Sequence, residues 1–123
     1  MDEHGVHVVV VDDVLDAADA MAMALELNGY VVRTASNGLA ALALIEELQP
    51  HCVLLDVDMP GIDGCELSKL LRQSYGDDIV LIAVTGGDDQ MERVAETFAR
   101  VDHYLRKPID LAVLRKLLPP VVA

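Results

Sequence analysis

Short β-branched runs alternate along this chain with longer stretches in which apolar residues return every three or four positions, and the cycle repeats five times. The short runs predict strands near His7–Val11, Val31–Ala35, Val53–Asp56, Ile79–Thr85 and His103–Leu105. The longer stretches predict helices near Leu15–Leu27, Leu39–Leu48, Cys65–Gln73, Gln90–Ala99 and Leu111–Leu118. In the first of these, Ala18, Met21, Ala22 and Leu25 fall at i, i+3, i+4 and i+7; Met91, Val94, Ala95 and Phe98 repeat that spacing in the fourth. The punctuation agrees. Asn28-Gly29 is a stop signal for the first helix, because glycine enters the left-handed region without strain. Asp63 and Asp89 stand where they can cap the third and fourth helices, Pro50 separates the second helix from the third strand, and Pro119-Pro120 ends the last helix.

Strand–helix alternation with short connections is the pattern of a parallel sheet covered by helices on both faces. The strands are apolar almost throughout rather than at every second residue, as burial on both faces requires. The fold class is therefore α/β, a doubly wound five-stranded parallel sheet. It forms a single domain over residues 1–123 with its core at about 6–118, and no linker, repeat or low-complexity segment interrupts it. Parallel crossovers place every strand's C-terminal end on one edge, where open α/β sheets bind their ligands.

That edge collects the polar residues that close the apolar runs. Asp12 and Asp13 follow Val8–Val11, Asp56 follows Cys52–Leu55 with Asp58 two residues on, Thr85 follows Ile79–Val84, and Lys107-Pro108 follows Tyr104-Leu105. Carboxylates so crowded repel each other and take up protons unless a divalent cation sits among them. The pattern predicts a magnesium site built around one reactive aspartate.

Composition narrows the remaining classes. Hydrophobic residues make up 53% of the chain, which excludes disorder, yet no apolar stretch approaches the ~20 residues that span a bilayer. The N-terminus, Met1-Asp2-Glu3-His4-Gly5, is acidic where a secretory signal is basic, so a soluble cytoplasmic protein is expected. A formal charge of −12 repels phosphate backbones and anionic lipid, so neither direct nucleic-acid binding nor membrane docking is expected. Cys52 and Cys65 lack metal-ligand spacing: Cys52 reads as buried core and Cys65, near a helix start, as structural. His4, His7, His51 and His103 are scattered, with no nucleophile beside any of them.

Taken together, Asp12-Asp13, Asp56-Val57-Asp58-Met59-Pro60-Gly61-Ile62-Asp63-Gly64, Thr85-Gly86 and Tyr104-Leu105-Arg106-Lys107-Pro108 resemble the receiver domain of two-component response regulators, in order and spacing, over about residues 6–118. The resemblance implies a flavodoxin-like (βα)5 fold, like that of the chemotaxis regulator, with strand order 2-1-3-4-5. It implies that Asp56 is the phosphoacceptor, attacking the phosphorus of a phosphohistidine to form an acyl phosphate. It implies Mg2+, or Mn2+ in its place, held by Asp13, Asp56 and the backbone carbonyl of Asp58, with Asp12 acting through water. Lys107 would supply positive charge to Asp56 and then to the phosphoryl group, Thr85 a hydroxyl, and Gly86 space and a backbone N–H. Lys107-Pro108 would be a cis peptide. Thr85 and Tyr104 would form the switch, altering the face made by the fourth helix, fifth strand and fifth helix. The implied partners are a histidine kinase or histidine phosphotransfer protein upstream and a protein docking on that face downstream; homodimerisation is left open. Such a domain is a signalling phosphoacceptor that catalyses its own phosphorylation and slow dephosphorylation, not a turnover enzyme.

Plainer readings exist for each residue alone: Asp12 and Asp13 as helix caps, Thr85 as a strand end, Lys107 as a surface lysine, Tyr104 as core filler. Their shared edge argues against coincidence. The Asp58 side chain either faces solvent or tunes the metal and the phosphoryl lifetime. A haloacid-dehalogenase phosphatase uses a similar set, but there the D-x-D strand comes first and the acidic pair follows the lysine, whereas here the pair leads and only residues 108–123 follow Lys107. A flavin-binding module of this fold class needs a phosphate-accepting loop where Asp12-Asp13-Val14 stands. One departure from the receiver pattern is Arg100, where a glycine is usual. The expectation is a stand-alone receiver or one cut from a longer response regulator or hybrid histidine kinase.

Overall fold

The computed structural model describes residues 5–57, 59, 61–86 and 99–120. Among them five parallel strands form one sheet in the order β2-β1-β3-β4-β5: β1 His7–Val11, β2 Val31–Ala35, β3 Cys52–Asp56, β4 Val80–Thr85 and β5 His103–Arg106. Between them run α1 Leu15–Leu27, α2 Gly38–Leu48 and α3 Gly64–Tyr75, and a C-terminal helix, Leu111–Leu117, follows β5. The expected helix over 90–99, with its Asp89 cap, lies outside the described residues apart from Ala99, which sits in a turn.

The doubly wound α/β sheet in the expected order is what the chain builds. Successive residues of a strand point to opposite faces, and the two cores follow that alternation. Val8, Val10, Leu54 and Ile82 face α1 and the C-terminal helix, packing on Ala18, Ala22, Leu25 and Leu114. Val9, Val11, Val53, Leu55, Leu81 and Ala83 face α2 and α3, packing on Ala41, Ile45, Leu67 and Leu71. Every residue of β3 is buried, as the centre of a two-sided sheet demands.

Helix boundaries shift by a few residues from the sequence reading, each for a local reason. Asn37 caps α2 by accepting from the Ala40 N–H at 2.8 Å, so the helix begins at Gly38 rather than Leu39. Asp63 caps α3 as expected, accepting from the Glu66 N–H at 3.0 Å, and α3 runs on past Gln73 until Gly76 turns the chain at positive φ. The first helix stops at Asn28, with Gly29 at φ 95°. Leu118 is extended ahead of Pro119, which ends the last helix one residue earlier than expected. No described helix is long and apolar enough to cross a membrane.

Candidate phosphoacceptor site

The sheet register decides which polar groups meet. Val11 lies opposite Leu55, so Asp12, just past the end of β1, and Asp56, the last residue of β3, emerge side by side at about one strand spacing, ~4.8 Å. Asp56 lies opposite Val84, which brings Thr85 to the same rim, and Thr85 lies opposite Arg106, which delivers Lys107. The backbone confirms the last step: the Lys107 N–H donates to the Thr85 carbonyl at 2.8 Å. Residues from four strand ends, spread over most of the sequence, thus meet on one sheet edge.

One carboxylate oxygen from each of Asp12, Asp13 and Asp56 lies within 4.8 Å of the others. Asp56 is only 4% exposed, Asp12 is mostly covered, and Asp13 faces solvent. Asp12 is further fixed because its Oδ1 accepts from the Val14 N–H at 2.9 Å. The Lys107 ammonium donates to Asp56 Oδ2 at 3.1 Å and stands 3.8 Å from Asp12 Oδ2. Thr85 is buried at the rim, Gly86 is exposed with open space above its Cα, and the Lys107-Pro108 peptide is cis. Tyr104, on edge strand β5, is 53% exposed with its side chain outward. Asp58 lies outside the described residues, so its carbonyl and side chain are not placed.

The electrostatics follow from burial against an apolar wall. A cavity of about 230 Å³ adjoins the site, lined by Asp12, Asp56 and Lys107 together with apolar residues that include Val10, Met21 and Leu54. Loss of water raises the Asp56 carboxyl to about 6; the Lys107 hydrogen bond and charge pull it down, and Asp12 and Asp13 push it further up. Burial alone would depress the Lys107 ammonium, but the hydrogen bond to Asp56 and the charges of Asp56, Asp12 and Asp13 outweigh it and raise its pKa. Both partners of one ion pair shift upward because the lysine answers three carboxylates while Asp56 has one cation. Three carboxylates and one ammonium leave the cluster at a formal −2. Hard oxygen donors in that number, with solvent on the Asp13 side, suit Mg2+, which takes one or two carboxylates and keeps several waters.

One positioning residue carried no assigned role in the sequence reading. Gly64, the first residue of α3, runs against the end of β3: a Cβ there would meet the Asp56 carbonyl oxygen and stand 2.7 Å from Val57 Cα. Glycine lets the α3 N-terminus close onto the backbone that carries Asp56, and the Gly64 N–H donates to the Val57 carbonyl at 3.2 Å. Its place just after the Asp63 cap was visible; the close approach was not. At the opposite end of the sheet, Arg72 ties α3 to the turn before β5. It donates to the carbonyls of Arg100, Gly76 and Ile79 and to Asp102 Oδ2 at 2.7 Å, and Asp102 in turn accepts from the Leu81 N–H at 2.8 Å. Arg100 itself reaches the Cys65 carbonyl and Sγ at 3.4 Å. Burial holds the Cys52 thiol far up, an inert core group.

This edge, an acidic cluster with one paired lysine and a threonine at the mouth of a 2-1-3-4-5 sheet, defines a receiver-type phosphoacceptor domain. The chain belongs to the response regulator receiver domain family, whose sequence profile it matches over residues 8–119. It is similar to "Response regulator MprA" of Mycobacterium sp. (strain KMS), 42% identical over 109 residues, which cover 89% of this chain and 47% of that protein. The chain thus spans about half the length of the curated relatives it matches. Among solved structures it is similar to a CheY-like receiver domain protein from Methanospirillum hungatei JF-1, with a TM-score of 0.84 and 28% identity covering 92% of this chain and 90% of that one. It is also similar to the response regulator TrrA from Thermotoga maritima in complex with Mg(2+)-BeF, with a TM-score of 0.79 and 28% identity covering 91% and 98%. The protein is therefore a receiver domain of two-component signalling, a class of phosphoacceptors rather than turnover enzymes that works with histidine kinases. The phosphatase reading finds no support among these relatives.

Proposed function

We propose that Asp56 accepts a phosphoryl group from the phosphohistidine of a histidine kinase or histidine phosphotransfer protein. What carries this reading is the state of Asp56: buried, at a sheet edge, paired at 3.1 Å with Lys107 and crowded by Asp12 and Asp13. A phosphoryl dianion about 5 Å from a cluster of net charge −2 meets repulsion on the order of 10 kcal/mol at an effective dielectric near 20. One ammonium cannot offset that, so the chemistry requires a divalent cation. Asp12, Asp13 and Asp56 would hold Mg2+, with the Asp58 carbonyl a further ligand; once bound it supplies the missing positive charge. The Mg-bound relative from Thermotoga maritima supports this choice of ion.

An Asp56 carboxylate oxygen attacks phosphorus in line, forming a P–O bond as the P–N bond to the donor imidazole breaks. Lys107 passes from Asp56 to a phosphoryl oxygen, Thr85 donates its hydroxyl to a second, and Gly86, with open space where a side chain would stand, leaves room for the group and offers its N–H. Thr85 is drawn toward the phosphoryl group and Tyr104, outward in the unmodified protein, swings in beside it. The face of the fourth and fifth predicted helices and β5 changes with them and selects a protein partner. The test is phosphotransfer from acetyl phosphate or a phosphorylated kinase to the wild type and to Asp56→Asn. The wild type should label in the presence of Mg2+ and the variant should not; equal labelling of both would overturn the assignment. Sustained turnover of a small phosphate monoester would instead favour a phosphatase.

A further inference from the structure

The start of α2 stands against the loop that leaves the phosphoacceptor strand. A Cβ on Gly38 would lie 2.6 Å from Ile62 Cβ and 2.7 Å from both Ile62 Cγ2 and the Ile62 carbonyl oxygen. Gly38 does not adopt positive φ, unlike Gly29, Gly61 and Gly76, and helix propensity alone would favour alanine there. The close approach to Ile62 is therefore what calls for glycine at this position. Ile62 in turn belongs to the stretch that begins at Val57, directly after Asp56, and contains Asp58.

Packing decides which side would yield to a side chain at position 38. The helix is fixed: Ala41 and Ile45 are fully buried in the core cluster with Val9, Val53 and Leu67, and the Asn37 cap accepts from the Ala40 N–H at 2.8 Å. The facing stretch is fixed at its two ends. The Val57 N–H donates to the Val84 carbonyl at 2.9 Å and the Gly64 N–H to the Val57 carbonyl at 3.2 Å, while buried Asp63 caps α3. Between those ends Gly61 is exposed, at φ 74° with open space where a side chain would stand, and Ile62 is only half-buried. The yielding point is Gly61-Ile62. Ordinary contact begins at about 3.4 Å, so a methyl group on residue 38 would push Ile62 away by roughly 0.7 Å.

We propose that Gly38 is a positioning residue for the cation: α2, through its contact with Ile62, holds the stretch that carries the Asp58 carbonyl in the arrangement Mg2+ needs. This role presupposes the magnesium site proposed above, and it gives a task to a helix that contributes no ligand. Mg2+ demands nearly octahedral oxygens at about 2.0–2.1 Å, with a tolerance of about 0.2 Å that a shift of roughly 0.7 Å exceeds. Ca2+ binds at about 2.3–2.6 Å in flexible geometry and absorbs such a shift. Losing the contact therefore weakens Mg2+ more than Ca2+, whereas a general loosening of the fold weakens both alike.

Isothermal titration calorimetry of the 123-residue chain with Mg2+ and, separately, with Ca2+ tests this, with circular dichroism to check the fold. Gly38→Ala should lower Mg2+ affinity about tenfold and Ca2+ affinity less than about threefold. Asn37→Ala removes the cap at the helix start and leaves every packing residue in place; it should lower Mg2+ affinity about threefold with the same bias, and it decides the matter if Gly38→Ala does not fold. Ile45→Val loosens α2 about two turns further along and should leave both affinities within about twofold of the wild type. Wild-type Mg2+ affinity in the Gly38 and Asn37 variants would overturn the proposal. So would equal losses for the two cations, or a loss in Ile45→Val as large as theirs. A wild type that takes up no Mg2+ would sink the magnesium site itself, and this role with it.

Discussion

Lowering the pH should weaken magnesium uptake through a single group. The Asp56 carboxyl is raised to about 6 by burial against the apolar wall, with Lys107 opposing and Asp12 and Asp13 adding to the rise. Because the shift is upward, the metal-free protein keeps a proton on Asp56 below pH 6, and the cation must displace it. The apparent affinity should be nearly constant from pH 8 to 7, fall about twofold at pH 6 and about tenfold at pH 5. Proton release should mirror it: close to none per cation at pH 8, about half a proton at pH 6, and nearly one at pH 5. Isothermal titration calorimetry in two buffers of different ionisation enthalpy measures both quantities on one sample. Asp56→Asn should bind more weakly and lose the step at pH 6. An affinity flat between pH 5 and 8, or a step that persists in Asp56→Asn, would refute the assignment of this titration to Asp56 and with it the burial argument.

Gly64→Ala should force the start of α3 away from the Asp56 backbone, costing about 1–3 kcal/mol in urea denaturation and slowing phosphorylation relative to the wild type. Lys107→Ala should leave the protein folded and able to take up Mg2+, while partner binding no longer responds to phosphorylation; a variant that still couples the two would count against its role. Arg72→Ala should cost about 2–4 kcal/mol, since it removes the side-chain donor to the Arg100, Gly76 and Ile79 carbonyls and leaves Asp102 with the Leu81 N–H, at the end of the sheet remote from the site. Its labelling at saturating donor should match the wild type, separating that loss of stability from the chemistry.

The inner strands β1, β3 and β4 were legible because burial on both faces makes them continuous apolar runs, whereas the edge strands β2 and β5 carry exposed polar residues such as Arg33 and His103 and were placed by their position in the alternation. The residues that close those runs, Asp12, Asp13, Asp56 and Thr85, were legible for the same reason, since a charge after a buried run marks a strand leaving the core. Their meeting was less so: alternation fixes a shared edge, but the order that sets β3 between β1 and β4 came from resemblance. Periodicity read from Leu39 missed the Asn37 cap and the Gly38 start, where a Cβ would collide with Ile62. Gly64 escaped because its tightness is against a strand end, invisible in one dimension.

The most direct test of the account is to map the modified residue after exposure to an acyl phosphate donor with and without Mg2+. The account predicts one phosphoryl group, lost on hydroxylamine treatment as an acyl phosphate must be, located at Asp56 and absent when the cation is chelated. A label on serine or histidine, or one formed equally well in chelator, would contradict it.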